Sequence, residues 1–180
     1  IAERDPALCQ DLFDRGVKLI DGCTGFYEPD GAYPEGPGYW HYGSNYHITM
    51  LAACPPLGVQ PRVPAVLQRS GDFIMHLTGP MLVPFNFADA GAGRSIPTAA
   101  QSWLASHFQD KEQARGLRTI LTHVHAGGGR IADDRFFPLH LLWLPPAPPD
   151  AAGTTPLADR FNGPQPIACF RTSWQPDRSE

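Results

Sequence analysis

The chain has 180 residues and 42% hydrophobic content, which suits one domain of ordinary size with a substantial core. Its 14 Lys and Arg against 18 Asp and Glu give a net charge of -4, and without a basic run there is no electrostatic footprint for nucleic acid. No apolar stretch approaches the roughly 20 residues of a membrane-spanning helix, so membrane insertion is not expected either.

Helical periodicity runs through most of the chain, and the predicted helices span residues 6–20, 37–54, 63–77, 98–108, 110–126 and 134–143. In the first helix Asp5 occupies the N-cap position. The side chains expected on its inward face are Leu8, Leu12, Phe13, Val17 and Ile20. In the third helix Gly71 is expected to cost roughly 1 kcal/mol relative to Ala, and in the last helix Pro138 is expected to interrupt the pattern.

The end of the chain departs from this helical pattern. Seven prolines between residues 144 and 166 predict an extended linker, and the β-branched and aromatic residues of 167–174 predict a strand. One strand without a partner is not stable. We therefore expect a helical domain at 1–144, a linker at 145–166 and the start of a second, truncated domain at 167–180.

The stretch 30–50 has the most unusual composition in the chain. Its first half is rich in glycine and proline and predicts an irregular loop, and Pro37 or Gly38 is expected to open the following helix. On that helix Tyr39, Tyr42 and Tyr46 share one face, whereas His41 lies about 200° around from Tyr39. Aromatic residues at helical spacing commonly form a core, but tyrosine hydroxyls need polar partners or water. Polar aromatics of this kind suit the wall of a cleft that stacks on sugar rings.

A second irregular stretch, 79–97, is long for a loop inside a domain, and long loops are often functional. It carries Asn86 and Asp89 among glycines. We expect it to form a second wall of the cleft; an ordinary connecting loop with a polar tip is the alternative.

Three passages resemble the heparinase II/III-like polysaccharide lyases, a group that includes the oligoalginate lyases. The most specific is residues 30–43, with the sequence DGAYPEGPGYWHYG. Residues 84–91 (PFNFADAG) resemble the second loop of that family, and residues 169–174 (CFRTSW) resemble the first strand of its β-sandwich. The resemblance implies a mainly α fold, a partial (α/α) toroid of helical hairpins, which ends in the first strand of a β-sandwich domain.

The resemblance also implies a reaction, the β-elimination of glycans that contain uronic acid. The enzyme removes the proton α to the sugar carboxylate and expels the glycosidic oxygen. It must neutralise the carboxylate, supply a base and protonate the leaving oxygen. Tyrosine can both take and give a proton, but with an ordinary pKa of about 10 a tyrosine base needs positive charge nearby.

Carried over by position, Tyr39 matches the family's catalytic acid, which also serves as base, and His41 is the nearest candidate for positive charge. His41 stands where alginate-cleaving members tend to have an arginine, so the preferred uronate is open. Glu35 is a general acid, a substrate partner or a cap of the helix that follows. The candidate sugar contacts are Glu35, Trp40, Tyr42, Tyr46, Asn86 and Asp89.

The expected partner is an acidic polysaccharide or oligosaccharide, and the expected location is periplasmic or secreted. The resemblance places one catalytic Asn or His before Ile1 and one His after Glu180, so we expect the segment alone to be inactive. We expect no metal or cofactor in this segment, while a metal in the remainder of the sandwich domain stays open.

Two other classes of function stay open. A glycoside hydrolase on the same toroid would need a pair of carboxylates, for which Asp30 and Glu35 are the candidates near the aromatic residues. A carbohydrate-binding or scaffold module without activity would keep the aromatic residues and need no acid or base.

Overall fold

A computed structural model describes residues 2–91, 99–126, 135–148, 153 and 155–174. These residues form a mainly helical fold, as predicted, and they also contain one small antiparallel sheet. The helices are α1 (Pro6–Cys23), α2 (Gly36–Ala53), α3 (Val66–Leu77), α4 (Ala99–His107), α5 (Lys111–Ala126) and α6 (Phe137–Trp143), and the strands are β1 (Ala158–Phe161) and β2 (Ile167–Phe170).

Helix α1 begins as predicted, because the Asp5 carboxylate accepts a hydrogen bond from the backbone N–H of Leu8 at 2.9 Å. The expectation that a whole apolar face turns inward is wrong. Only Ile20 of that face is buried, whereas Leu8 and Leu12 are 46% and 50% exposed. The C-terminal halves of α1 and α2 meet where Gly16 of α1 lies against the end of the Met50 side chain of α2.

The core lies between α2, α3 and α4 and includes Trp40, Ile48, Leu67, Phe73 and Leu104, each at most 1% exposed. The apolar face predicted for α3 is confirmed. Asn45 joins α2 to α4, since its side-chain amide donates to the His41 carbonyl at 2.8 Å and accepts from the Ala100 N–H at 2.9 Å.

Gly71 has a packing role that its helix propensity does not show. A Cβ atom at this position would lie 2.2 Å from Oε1 of Gln113, a side chain of α5 with no exposed surface. Gln113 Nε2 donates to the Gln68 carbonyl and to Asp72 Oδ1 at 2.8 and 2.9 Å. Helices α3 and α5 can approach this closely because residue 71 lacks a side chain.

Helix α6 does not contain an interruption, contrary to prediction. It begins at Phe137, so Pro138 lies in its first turn, where proline is well tolerated. Residues 92–97 of the predicted loop, residue 134 of the predicted helix and residues 175–180 lie outside the described part of the chain.

The C-terminal strand has a partner, so the expectation of a single strand is wrong. Strand β1 lies inside the segment predicted as linker, and it pairs with β2 so that Ala158 faces Phe170 and Phe161 faces Ile167. Phe161 has no exposed surface and packs edge-on against Phe73 of α3, with ring centroids 5.2 Å apart. Asp159 extends this contact through an ion pair with Arg69 at 3.0 Å. The hairpin is therefore docked on the helical core.

Candidate functional site

The two stretches predicted as cleft walls meet at the start of α2. Gly36 has a φ of +78°, and a Cβ on it would lie 2.5 Å from the carbonyl oxygen of Phe87. A Cβ on Gly38 would lie 3.3 Å from the Cα of Ala90. The loop that carries Asn86 and Asp89 thus packs on the first turn of α2, and both side chains are exposed there.

Three tyrosines form an exposed surface on α2, which we call the tyrosine face (Tyr39, Tyr42 and Tyr46). Their exposed fractions are 42%, 52% and 46%. The ring centroids of Tyr39 and Tyr42 are 6.4 Å apart and those of Tyr42 and Tyr46 are 5.1 Å apart, both in edge-to-face arrangement. The predicted shared face is confirmed, and it presents phenol rings to solvent instead of packing them into the core.

Two residues that the sequence did not point to extend this surface. The ring of Phe136 lies 5.2 Å from that of Tyr46, and Arg135 Nη1 donates a hydrogen bond to the Tyr46 hydroxyl at 3.1 Å. Arg135 is exposed. It brings a fixed positive charge, suited to a carboxylate, to one end of the tyrosine face. Arg135 is 89 positions from Tyr46 and belongs to no recognisable motif, so no local signal could have indicated it.

Trp40 does not belong to this surface, which corrects the expectation that it stacks on a sugar. The indole has no exposed surface, and its Nε1 donates to Ser70 Oγ at 2.7 Å. Helical geometry explains the difference, because each residue turns the side-chain direction by about 100°. With Tyr39 and Tyr42 outward, Trp40 points into the core.

His41 and Glu35 lie at the N-terminal end of α2, the end that carries Tyr39. His41 is half-buried in the first turns of α2. Glu35 holds the N-cap position of α2, but its side chain makes no capping hydrogen bond and is exposed. Its carboxylate thus lies at the positive end of the helix dipole and in contact with solvent.

Asp30 has a structural contact that separates it from Glu35. Its carboxylate accepts hydrogen bonds from the backbone N–H of Asn162 at 2.9 Å and from the Asn162 side-chain amide at 2.8 Å. These bonds join the loop before α2 to the turn of the β-hairpin. Asp30 is therefore a poor member of a hydrolytic carboxylate pair.

The titratable side chains buried beside α2 are held in their neutral forms. Burial lowers the pKa of His47 to about 4, and burial raises the pKa of the Tyr27 and Tyr33 hydroxyls. Tyr27 also shares a hydrogen bond of 3.1 Å with Ser44. At neutral pH these groups act as polar packing, and the exposed phenols of the tyrosine face remain as the candidates for proton transfer.

Two cavities border the described core. One, of about 280 Å³, lies between α1 and α2 and is lined by Leu19, Phe26, Met50 and other mostly apolar side chains. The larger, of about 330 Å³, is lined by residues of α3, α5 and the segment after β2. It lies away from all the residues predicted as catalytic or substrate-binding.

Within the described ranges, no three His, Cys, Asp or Glu side chains are grouped closely enough to hold a metal ion. In the same part of the chain no helix has the length and apolar character needed to cross a membrane. Neither the models of protein families nor the curated proteins include a match to this chain.

Proposed function

We propose that this chain is part of a polysaccharide lyase that cleaves uronic-acid-containing glycans by β-elimination, with Tyr39 as the catalytic acid and base. The observation that carries the proposal is the tyrosine face itself. Three half-exposed tyrosines follow one another along α2, and the last of them accepts a hydrogen bond from the Arg135 cation. Such a surface suits an acidic sugar chain, which offers apolar ring faces and one carboxylate per uronate.

In the proposed reaction the Tyr39 oxygen takes the proton from the carbon α to the uronate carboxylate. The electron pair of that C–H bond forms a carbon–carbon double bond, and the bond to the glycosidic oxygen breaks. The same tyrosine then returns the proton to the leaving oxygen. His41 is the group that we propose to supply positive charge to this carboxylate as its charge increases. Arg135 lies at the Tyr46 end of the face and is suited to the carboxylate of another uronate of the same chain.

The architecture proposed with this function extends beyond the described fold. The six helices correspond to part of an (α/α) toroid, and the β-hairpin corresponds to the opening strands of a β-sandwich domain. Glu35, Asn86 and Asp89 lie where two loops meet at the start of α2, and we assign them to substrate binding together with Tyr42 and Tyr46. The proposed location is periplasmic or secreted.

Elimination and hydrolysis are distinguished by their products. The full-length protein is incubated with uronate polymers, and both ultraviolet absorbance and reducing ends are followed. A lyase produces an unsaturated, absorbing end with every cut. Reducing ends without absorbance would mean hydrolysis and would overturn the proposal.

The role of Tyr39 is tested by Tyr39→Phe, with Tyr42→Phe as the matched control on the same face. Loss of one general acid or base is expected to lower turnover by about 10²- to 10⁴-fold, while glycan binding persists because the ring remains. Tyr42→Phe keeps the ring that would stack on the sugar, so its turnover should stay close to that of the unmodified protein. Equal turnover of the two variants would refute the assignment of Tyr39 as the acid and base.

A further inference from the structure

The larger cavity, of about 330 Å³, has the size of a small-molecule site. One part of its wall is apolar, with Met75, Leu82, Ile120 and the indole of Trp174. The other part carries hydroxyl groups and two arginines, Arg115 and Arg171. Apolar walls with a few converging polar groups are typical of sites for small organic ligands.

The two arginines of the cavity differ in their electrostatic state. Arg115 forms an ion pair with Glu112 at 2.5 Å, and Glu112 also accepts a hydrogen bond from Thr155 at 2.6 Å. This acidic side chain is therefore already neutralised. The remaining charge of the cavity wall is that of Arg171.

Arg171 is anchored to backbone carbonyls, and within the described part of the chain it has no counter-ion. Its Nη2 donates to the backbone carbonyls of His76 and Thr78 at 2.9 and 3.1 Å, and its guanidinium lies 3.6 Å from the ring centre of Trp174. Among the described residues no carboxylate lies within ion-pairing distance of Arg171, and its Nε is buried without a hydrogen-bond partner. Burial lowers the pKa of the guanidinium, as expected of a desolvated cation without a nearby anion.

We propose that this cavity binds a small organic monocarboxylate, with the Arg171 guanidinium receiving the carboxylate and the apolar wall covering the hydrocarbon part. One unpaired cation matches one negative charge. A phosphate monoester carries nearly two charges at neutral pH, whereas Arg115 is already paired with Glu112 and only the charge of Arg171 is left on the described wall. The site shares no lining residue with the tyrosine face, so it is a second site, independent of the proposed lyase activity.

The test uses benzoate as the probe and benzamide as its neutral counterpart of similar shape. Both are titrated at pH 7 into the full-length protein and followed by ligand-detected NMR. Benzoate is expected to bind saturably, and benzamide at least about tenfold more weakly, because it lacks the charge-assisted hydrogen bond. Absence of saturable benzoate binding, or equal binding of the two probes, would overturn the proposal.

Two variants locate the binding. Arg171→Met removes the charge and is expected to lower the affinity for benzoate to that for benzamide. Since Arg171 also stabilises the hairpin, Thr119→Phe provides a second route, filling the cavity from α5 while leaving Arg171 in place. Thr122→Phe, at an exposed position one turn further, is the matched control. Benzoate binding that persists unchanged in Thr119→Phe would place the ligand elsewhere and refute the assignment.

Discussion

Replacing Gly71 by Ala separates helix propensity from packing. Propensity predicts a higher free energy of unfolding for the variant, and packing predicts a lower one. Propensity alone favours alanine inside a helix by about 1 kcal/mol. In the structure the new Cβ would lie 2.2 Å from Oε1, 2.6 Å from Cδ and 2.8 Å from Nε2 of Gln113. These distances are far inside van der Waals contact, so the buried amide of Gln113 has to move.

The cost of that movement follows from the hydrogen bonds it breaks. Gln113 Nε2 bonds to the Gln68 carbonyl and to the Asp72 carboxylate. A neutral hydrogen bond contributes about 1 kcal/mol and one to a charged group about 1.5 to 3 kcal/mol. After subtracting the gain in propensity, we expect Gly71→Ala to lower the free energy of unfolding by about 1.5 to 3 kcal/mol.

Urea unfolding followed by circular dichroism measures this quantity. Gly22→Ala is the matched control: this glycine also lies in a helix, but nothing is within 4 Å of its added Cβ, so the control should be neutral or stabilising. In a Gln113→Ala background, Gly71→Ala should become stabilising because the obstructing amide is gone. A Gly71→Ala protein at least as stable as the original would refute this account of the α3–α5 contact.

Three further changes test other parts of the structure. Phe161→Ala should lower the free energy of unfolding in urea by about 3 to 5 kcal/mol because the ring is fully buried. Phe170→Ala, at an 82% exposed position, should have little effect. Equal losses of stability in the two variants would mean that the hairpin is not docked as described. The pKa of His47 is about 4 in the folded chain against 6.5 when solvated, so the unfolded chain binds its proton first as the pH falls. The contribution of His47 to stability should therefore be fully present above pH 6.5 and decrease by about 1.4 kcal/mol per pH unit between pH 6.5 and 4. Burial lowers the pKa of His76 to about 4 as well, so His47→Gln should remove only the His47 part of the slope in unfolding at pH 7, 6 and 5. Asp30→Asn should weaken the loop–hairpin contact by about 1 kcal/mol and leave uronate cleavage unchanged; abolished cleavage would instead assign the carboxylate to catalysis.

Local sequence patterns predicted those features that depend on neighbouring residues. The Asp5 cap, the apolar face of α3 and the shared face of the α2 tyrosines follow from spacings of three and four residues, and the structure has all of them. Even here, periodicity identifies which residues share a face but not whether the core covers that face. This explains why Leu8 and Leu12 of α1 are exposed although their spacing is that of a buried stripe.

Features that depend on distant residues could not be predicted. Strand β1 has only four residues, Asp159 and Arg160 among them, and it follows a proline-rich segment, so its own composition favours a linker. Its stability comes from Phe73 and Arg69, about ninety positions earlier. The same reason applies to Arg135, whose position at Tyr46 depends on how α6 returns to α2.

The hydrogen bond between Trp40 and Ser70 fixes the angular setting of α2 about its own axis. Tyr39 is next to Trp40 in the sequence, so the setting of the Trp40 indole also sets the direction of the Tyr39 phenol. The indole itself is fully buried and out of reach of a ligand. A rotation of α2 by a single residue position would turn Tyr39 through about 100° and bury or displace it. A substitution at Ser70 would therefore act on the orientation of a side chain 31 positions away, although Ser70 itself is fully buried.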